Sequence, residues 1–524
     1  MRARARRGPG FARAWVVTLL AALLALAACS STFGGGESAG TPRPPAATGA
    51  APSGRADPAT QPVLARFYSQ RLTWTDCGGG FQCGKVAVPV DWAAPAGATL
   101  RLAVVRKPAT GQRLGSLFIN PGGPGVGGAG WLRDDVRGFG SALRSAYDLV
   151  GWDPRGTGDS SPVRCLSDRR LDQYYAADAT PDDATEVQQY VAEQREFAQA
   201  CQANTGPVLA HIDTLSTVRD MDVLRAAVGD PVLTYYGASY GTYLGAWYAQ
   251  EFPWRVGRLV LDGAVDPSLT FDEYTQGQAM GFTRAVRSYL QDCLSQGGCP
   301  FQGTVDDGMS QLESLLARVD AAPLATSSGR MLTQSLMALG LGQGMYDQSL
   351  WPAVTRGITQ ALRGDGSILL RMSDLYTERD TKGHYGEALT AYTPIYCLDH
   401  AVPDNLDRTF TGAQALGLKY PPLGDFIGTG GVSCQVWPIK AVVPARPVRA
   451  AGAAPILVVG TTNDPATPYE WAKSLASQLA SGRLLTRTGQ GHTAYLPGGT
   501  CIRQAVDRYL VQGTLPAAGT VCSS

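Results

Sequence analysis

The stretch PVLTYYGASYGTYLGAWYAQ, residues 231–250, limits what this chain can fold into more than any other. A β-branched and aromatic run over 232–236 meets Gly237, Ala238, Ser239, Tyr240 and Gly241, after which the small residues Gly245, Ala246 and Ala249 recur at helical spacing. The pattern predicts a strand, a sharp turn and a helix. A serine on so sharp a turn sits in strained backbone geometry, and only glycine on either side lets strand and helix approach without a Cβ clash. Ser239 is therefore expected at the carboxyl end of a central strand, presented as a nucleophile.

A serine hydroxyl is a poor nucleophile until a base takes its proton, and histidine is the usual base because its pKa lies near neutrality. The chain has four histidines: His211 precedes the turn, His384 and His400 fall in a later region of helical patterning, and His492 lies in the glycine-rich run Gly489-Gln490-Gly491-His492-Thr493. His492 is the expected base. The imidazole needs a carboxylate to hold its tautomer and stabilise the imidazolium. Asp464, in the loop GTTNDPATP after the apolar run 455–460, completes the order Ser239, Asp464, His492, and Asp262, at the end of a strand expected over 258–262, is the rival acid. The buried-strand pattern 117–119 runs straight into Asn120-Pro121-Gly122-Gly123-Pro124-Gly125. So dense a Gly/Pro loop leaves amides bare above the sheet, as an oxyanion hole requires, and Gly122, Gly123 and Tyr240 are the expected donors.

Around these motifs the chain alternates strand and helix patterns. Segments 86–92 and 99–106 read as an antiparallel edge. A strand over 147–152 ends in DPRGTGDS, where Asp153 and Arg155 are expected to fix a loop, and a helix over 217–228 opens at Ser216 or Thr217. The rhythm stops between 266 and 445, where helical patterns such as 271–295 and 309–319 suggest an inserted cap over the site. It resumes with the run 455–460, a helix over 469–481 and a strand over 483–487. This is an α/β chain with a mostly parallel central sheet, helices on both faces, and a helical cap insertion.

Arg2, Arg4, Arg6, Arg7 and Arg13 precede an apolar run over 15–28 that is too short for a comfortable membrane span. It ends in Leu26-Ala27-Ala28-Cys29, which resembles the bacterial lipobox. Residues 1–28 are thus expected to be a cleaved lipoprotein signal, Cys29 the lipidated first residue, and 29–61, rich in Gly, Pro, Ala, Ser and Thr, a flexible linker. The hydrolase core would then comprise 62–265 and 446–524, with the cap at 266–445. Setting Cys29 aside, the 11 cysteines leave an even number, which suits disulfides in an oxidising space. Proximity suggests Cys77 with Cys83, Cys165 with Cys201, Cys293 with Cys299, Cys397 with Cys434, and Cys501 with Cys522. No C-x-x-C pair or histidine cluster points to a metal, and no cofactor is expected. A net charge of +1 with 17% charged residues offers no footprint for nucleic acid.

NPGGPG, DPRGTGDS, GASYG, GTTNDPATP and GQGH, in this order after a lipobox leader, resemble the secreted tripeptidyl-aminopeptidase family of actinobacteria, α/β-hydrolases related to prolyl aminopeptidases. The resemblance covers roughly residues 73–522 and departs from many α/β-hydrolases in placing Asn120 where they have histidine. It implies a serine exopeptidase that removes short peptides from free N-termini, with Ser239, Asp464 and His492 as triad. A carboxylesterase would use the same triad, and a third reading is a non-catalytic surface binding protein. An exopeptidase must meet the substrate's free α-amine with a carboxylate, expected from the cap: Asp399 beside Cys397, or Glu273 near the cap entrance.

Overall fold

Unbroken apolar runs form the strands at the centre of the molecule, as a sheet covered on both faces requires. The computed structural model describes residues 42, 44–46 and 56–523. The signal 1–28, Cys29 and most of the linker lie outside the described residues. The strands are β1 (Thr75–Asp76), β2 (Gln82–Pro89), β3 (Thr99–Lys107), β4 (Gly115–Asn120), β5 (Tyr147–Trp152), β6 (Leu233–Ala238), β7 (Val256–Asp262), β8 (Leu324–Ala325), β9 (Met331–Leu332), β10 (Ile456–Asn463), β11 (Gly482–Gln490) and β12 (Val521–Ser523). Ten of them make one sheet in the order β1-β2-β3-β5-β4-β6-β7-β10-β11-β12, while β8 and β9 form a small ribbon in the insertion. The first three strands and the β3–β5 pairing are antiparallel, and from β5 to β12 every neighbour is parallel. Every residue of β4, β5, β6 and β7 is buried.

The order of strands places the site. From β4 the chain moves outward to β5, then returns to lay β6 on the other side of β4, so the loops leaving β4 and β6 diverge and open a crevice at their carboxyl ends. The register aligns Asn120 with Gly237, Ala238 with Asp262, and Asp262 with Val459. Four loops thereby leave the sheet along one edge.

Helices cover both faces. On one side Thr214–Ala227 and Tyr240–Glu251 bury Val218, Leu224, Trp247 and Tyr248, and on the other Gly128–Asp135, Ser141–Ala146 and Thr500–Gln512 bury Leu132, Leu143 and Val506. The helix expected to open at Ser216 or Thr217 begins earlier, because Asp213 is its cap and accepts from the Ser216 amide at 2.9 Å. Arg155 is fully buried and grips Asp220 with Nε and Nη2, both at 2.7 Å, while its other N–H groups reach the carbonyls of Pro89, Val90 and His211. Asp153 accepts from the Ala129 and Asp159 amides at 2.9 Å, so this pair holds a loop together.

Between β7 and β10 the helices from Phe271–Ser295 to Gly431–Gln435 share a core around Phe282, Leu312, Leu336, Trp351 and Leu369 and form a roof over the crevice. The roof also draws on the connection between β5 and β6, whose helices Asp168–Ala176 and Ala184–Thr205 carry Leu171 and Phe197 into one cluster with Ile395, Leu398 and Trp437. Disulfides join Cys77 to Cys83, Cys165 to Cys201, Cys293 to Cys299, Cys397 to Cys434, and Cys501 to Cys522. Among the described residues no helix is long and apolar enough to cross a membrane.

Candidate active site

The turn after β6 is as tight as its glycines suggest. Ser239 has φ 55° and ψ −124°, a conformation that costs a non-glycine residue on the order of 1–3 kcal/mol. A Cβ at Gly237 would fall 2.4 Å from the Gly241 carbonyl oxygen, so no other residue fits there without displacing the helix. The strain is held on both sides: the Ser239 amide donates to the Asp262 carbonyl at 2.9 Å, and the Ser239 carbonyl accepts from the Thr242 amide at 2.8 Å and its hydroxyl at 2.6 Å.

His492 reaches the same crevice from the loop after β11. Its Nδ1 lies 2.9 and 3.0 Å from the two carboxylate oxygens of Asp464, whose side chain is fully buried in the loop after β10. The Ala466 and Thr467 amides donate to Oδ1 and the Thr493 amide to Oδ2, so the carboxylate has one orientation. Burial alone would lower the His492 pKa, but the charge and hydrogen bond of Asp464 prevail, with Asp262 adding to them, and hold it above 6.5. Asp262, the rival acid, is committed elsewhere. It accepts from the Ala494 and Tyr495 amides and the Tyr236 hydroxyl, each at 2.8 Å, and so fastens the backbone just beyond His492. Burial raises its pKa, against the pull of those donors.

Of the amides expected as oxyanion donors, Gly122 is not available. Its N–H donates to Asn120 Oδ1 at 2.9 Å, which also gives Asn120 a role: it pins the loop. Gly122 must still be glycine, since at φ +102° its Cβ would fall 2.8 Å from Ser239 Cβ and 2.6 Å from the Ala238 carbonyl oxygen. Gly123 is exposed to the crevice, and Tyr240 is the first residue of its helix, where an amide has no partner within the helix.

Ser239, Gly123 and His492 share a cavity of about 400 Å³, within the range of about 300–1,000 Å³ that holds small ligands. Its upper wall is apolar and aromatic, with Phe282, Leu339, Tyr346, Tyr392 and Phe426. Two contributors lacked any sequence signal. Tyr346, at the end of the helix Gln334–Met345, accepts the His492 amide at 2.9 Å and sets its ring edge-on to the imidazole at 5.3 Å. Glu378 is the other.

The two carboxylates expected to bind a substrate amine are occupied. Asp399 is buried, and its oxygens accept the Thr214 amide at 2.8 Å and the Thr214 hydroxyl at 2.7 Å. Burial, with the charge of Asp213 nearby, raises its pKa well above the carboxylate range. It ties the end of the roof helix Ala388–Asp399 to the start of the core helix Thr214–Ala227. Glu273 is exposed and closes a capping box, accepting from the Thr270 amide at 2.9 Å and hydroxyl at 2.8 Å, which lower its pKa. Neither lines the cavity.

Residues 115–333 match the family described as alpha/beta hydrolase fold, and residues 420–522 match the one described as TAP-like protein. The sheet order, the strained serine and the Asp464–His492 pair define a serine hydrolase of that fold. Serine protease Hip1 of Mycobacterium tuberculosis is 36% identical over 86% of this chain and 91% of its own length. Carboxylesterase B of the same organism is 35% identical over 84% and 86%, and tripeptidyl aminopeptidase of Streptomyces lividans is 31% identical over 88% of each chain. The chain belongs to the tripeptidyl-aminopeptidase family of α/β-hydrolases.

Proposed function

We propose that the protein is an exported serine aminopeptidase that releases short peptides, tripeptides among them, from free N-termini. The observation that carries the reading is the roofed cavity itself: at about 400 Å³ above Ser239 and His492, it admits a short peptide end and no folded segment. The names of Hip1 and of the Streptomyces relative support it. In this reading Asp464 holds the proton of His492 on Nδ1, leaving Nε2 to take the proton of Ser239 Oγ as that oxygen attacks the scissile carbonyl. The amides of Gly123 and Tyr240 receive the oxyanion, and His492 returns the proton to the leaving amine. Water, activated by the same imidazole, then hydrolyses the acyl-enzyme.

The substrate partners are peptides with a free N-terminus, and the membrane is met through lipid on Cys29. A carboxylesterase is the second reading, supported by the relative of that name at 35% identity. A panel of p-nitroanilide peptides of increasing length beside p-nitrophenyl esters separates them. The proposal expects kcat/KM to climb to a maximum at short free-amine peptides, and turnover confined to esters would overturn it.

A further inference from the structure

We propose that Gln343 reads the substrate's backbone, pairing its side-chain amide with the peptide unit next to the bond that is cleaved. The inference rests on the aminopeptidase reading above and names a residue that makes the same site favour peptidyl groups over simple acyl groups. Most polar side chains on the cavity wall are already engaged. Gln278 Nε2 donates to the Ala466 carbonyl at 3.1 Å and to the Tyr274 hydroxyl at 3.4 Å, and Thr467 Oγ1 lies 3.3 Å from His492 Nδ1. The hydroxyls of Tyr346 and Tyr376 pair with each other, and the Ala388 amide donates to Glu378.

The side-chain amide of Gln343 has no hydrogen-bond partner among the described residues, and neither has the Tyr392 hydroxyl. Of these two, only Gln343 sets a donor and an acceptor side by side in one plane, the complement of a peptide unit with its own N–H and C=O. It is half-buried, in a wall it shares with Leu339 and Tyr346. An amide so placed favours ligands that pair with it and penalises those that cannot, because the water it gives up goes unreplaced.

The helix Gln334–Met345 places this amide relative to the chemistry. Ala338, Leu339, Gly342, Gln343 and Tyr346 recur at helical spacing and turn one face to the cavity. Tyr346 sets its ring edge-on to the His492 imidazole at 5.3 Å, and Gln343 precedes it by three residues, about 4.5 Å along the helix. An extended peptide advances about 3.3 Å per residue, so an acyl chain running back from Ser239 along this face brings its first intact peptide unit level with Gln343. Gly342 leaves room for it. On the same helix, packing requires Gly340 and Gly344, since a Cβ would run into the Leu369 carbonyl oxygen at one and the Val354 side chain at the other. A Cβ on Gly342 would meet nothing nearer than Phe282 at 4.0 Å. A helical glycine that packing does not require, next to an unpaired amide, lets a substrate backbone lie close against the helix.

The test compares wild type, Gln343→Met and Gly342→Ala on three substrates: free-amine trialanine p-nitroanilide, its ketomethylene analogue with CH2 in place of the N–H between the second and third alanines, and p-nitrophenyl acetate. Wild type should lose roughly 10-fold in kcat/KM from the peptide to the analogue, which lacks the N–H that Gln343 accepts. Gln343→Met should lose roughly 10-fold more on the peptide than on the acetate, and should no longer tell the peptide from its analogue. Gly342→Ala should raise the thermal midpoint, because alanine suits a helix better than glycine, and yet raise KM for trialanine p-nitroanilide. Wild type that cleaves peptide and analogue equally, Gln343→Met that keeps the gap or loses equally on all three substrates, or Gly342→Ala with unchanged KM overturns the inference and leaves the aminopeptidase reading standing. Wild type that turns over the acetate and no free-amine peptide overturns that reading and the role of Gln343 with it.

Discussion

Asp464→Asn separates the two carboxylates near His492. Four donors converge on Asp464: the His492 Nδ1–H at 2.9 Å, the Ala466 and Thr467 amides at 3.0 and 2.9 Å, and the Thr493 amide at 3.1 Å. Asparagine offers a single acceptor oxygen. If that oxygen stays with Ala466 and Thr467, the NH2 group faces His492 and forces its ring to present a bare Nδ1 and carry the proton on Nε2. That tautomer cannot accept the serine proton. The expected loss is about 10⁴-fold in kcat, or about 5.5 kcal/mol of barrier, with KM little changed because the interaction is made by the reacting groups. Asp262→Asn should behave differently, since its three donors at 2.8 Å come from Ala494, Tyr495 and Tyr236 and none from the imidazole. It should cost about 1–3 kcal/mol of stability, and no more than about 10-fold in kcat, one pKa unit of imidazolium stabilisation. Steady-state turnover of a short peptide p-nitroanilide, with thermal unfolding of both variants, reads the contrast. Equal losses in kcat from the two variants, or a loss below about 10-fold for Asp464→Asn, would refute this assignment of the acid.

Ser239→Ala should abolish labelling by a fluorophosphonate, with peptide mapping of the wild type placing the adduct on residue 239. Turnover of a neutral ester should rise with pH through a midpoint above 6.5, because the folded His492 pKa is raised. The same shift means that His492 contributes stability below its unfolded pKa and loses it as pH climbs through the folded value, which unfolding across a pH series would record. Gly237→Ala should destabilise by about 1–3 kcal/mol or more through the clash with Gly241, and lower activity with it. Mass spectrometry of the mature N-terminus should find lipid on Cys29, and an unmodified terminus beginning elsewhere rejects it.

What could be read in the chain was local. The turn at 237–241 announces itself because strand, glycine spacing and small-residue helix are contiguous, and the same contiguity marks the loops of Asp464 and His492. Asp399 misleads for the opposite reason: its partner Thr214 lies 185 residues away, and no pattern near either residue records that one caps the other. Gly122 looks like a donor until the Asn120 side chain turns back by two residues to claim its amide. Glu378 sits in the charged run Glu378-Arg379-Asp380, which reads as surface, and it is exposed, yet the fold also sets it at the edge of the cavity while its neighbour Arg379 pairs with Asp172. The stretch 62–265 is expected to be core throughout, yet within it the helices Asp168–Ala176 and Ala184–Thr205 lend apolar side chains to the roof.

The roof helix Ala388–Asp399 meets the loop after β4 at Gly125 and is fastened to the core through Asp399 and Thr214. Swinging it aside would drag the loop after β4 and strip a buried carboxylate of its partners. On the aminopeptidase reading, such an enzyme cannot gape to swallow a folded chain. Neighbouring folded proteins, other copies of itself included, would then be spared by shape alone, so restraint need not come from a propeptide or an inhibitor. The hazard moves to ragged ends: whatever other proteases leave dangling becomes its food.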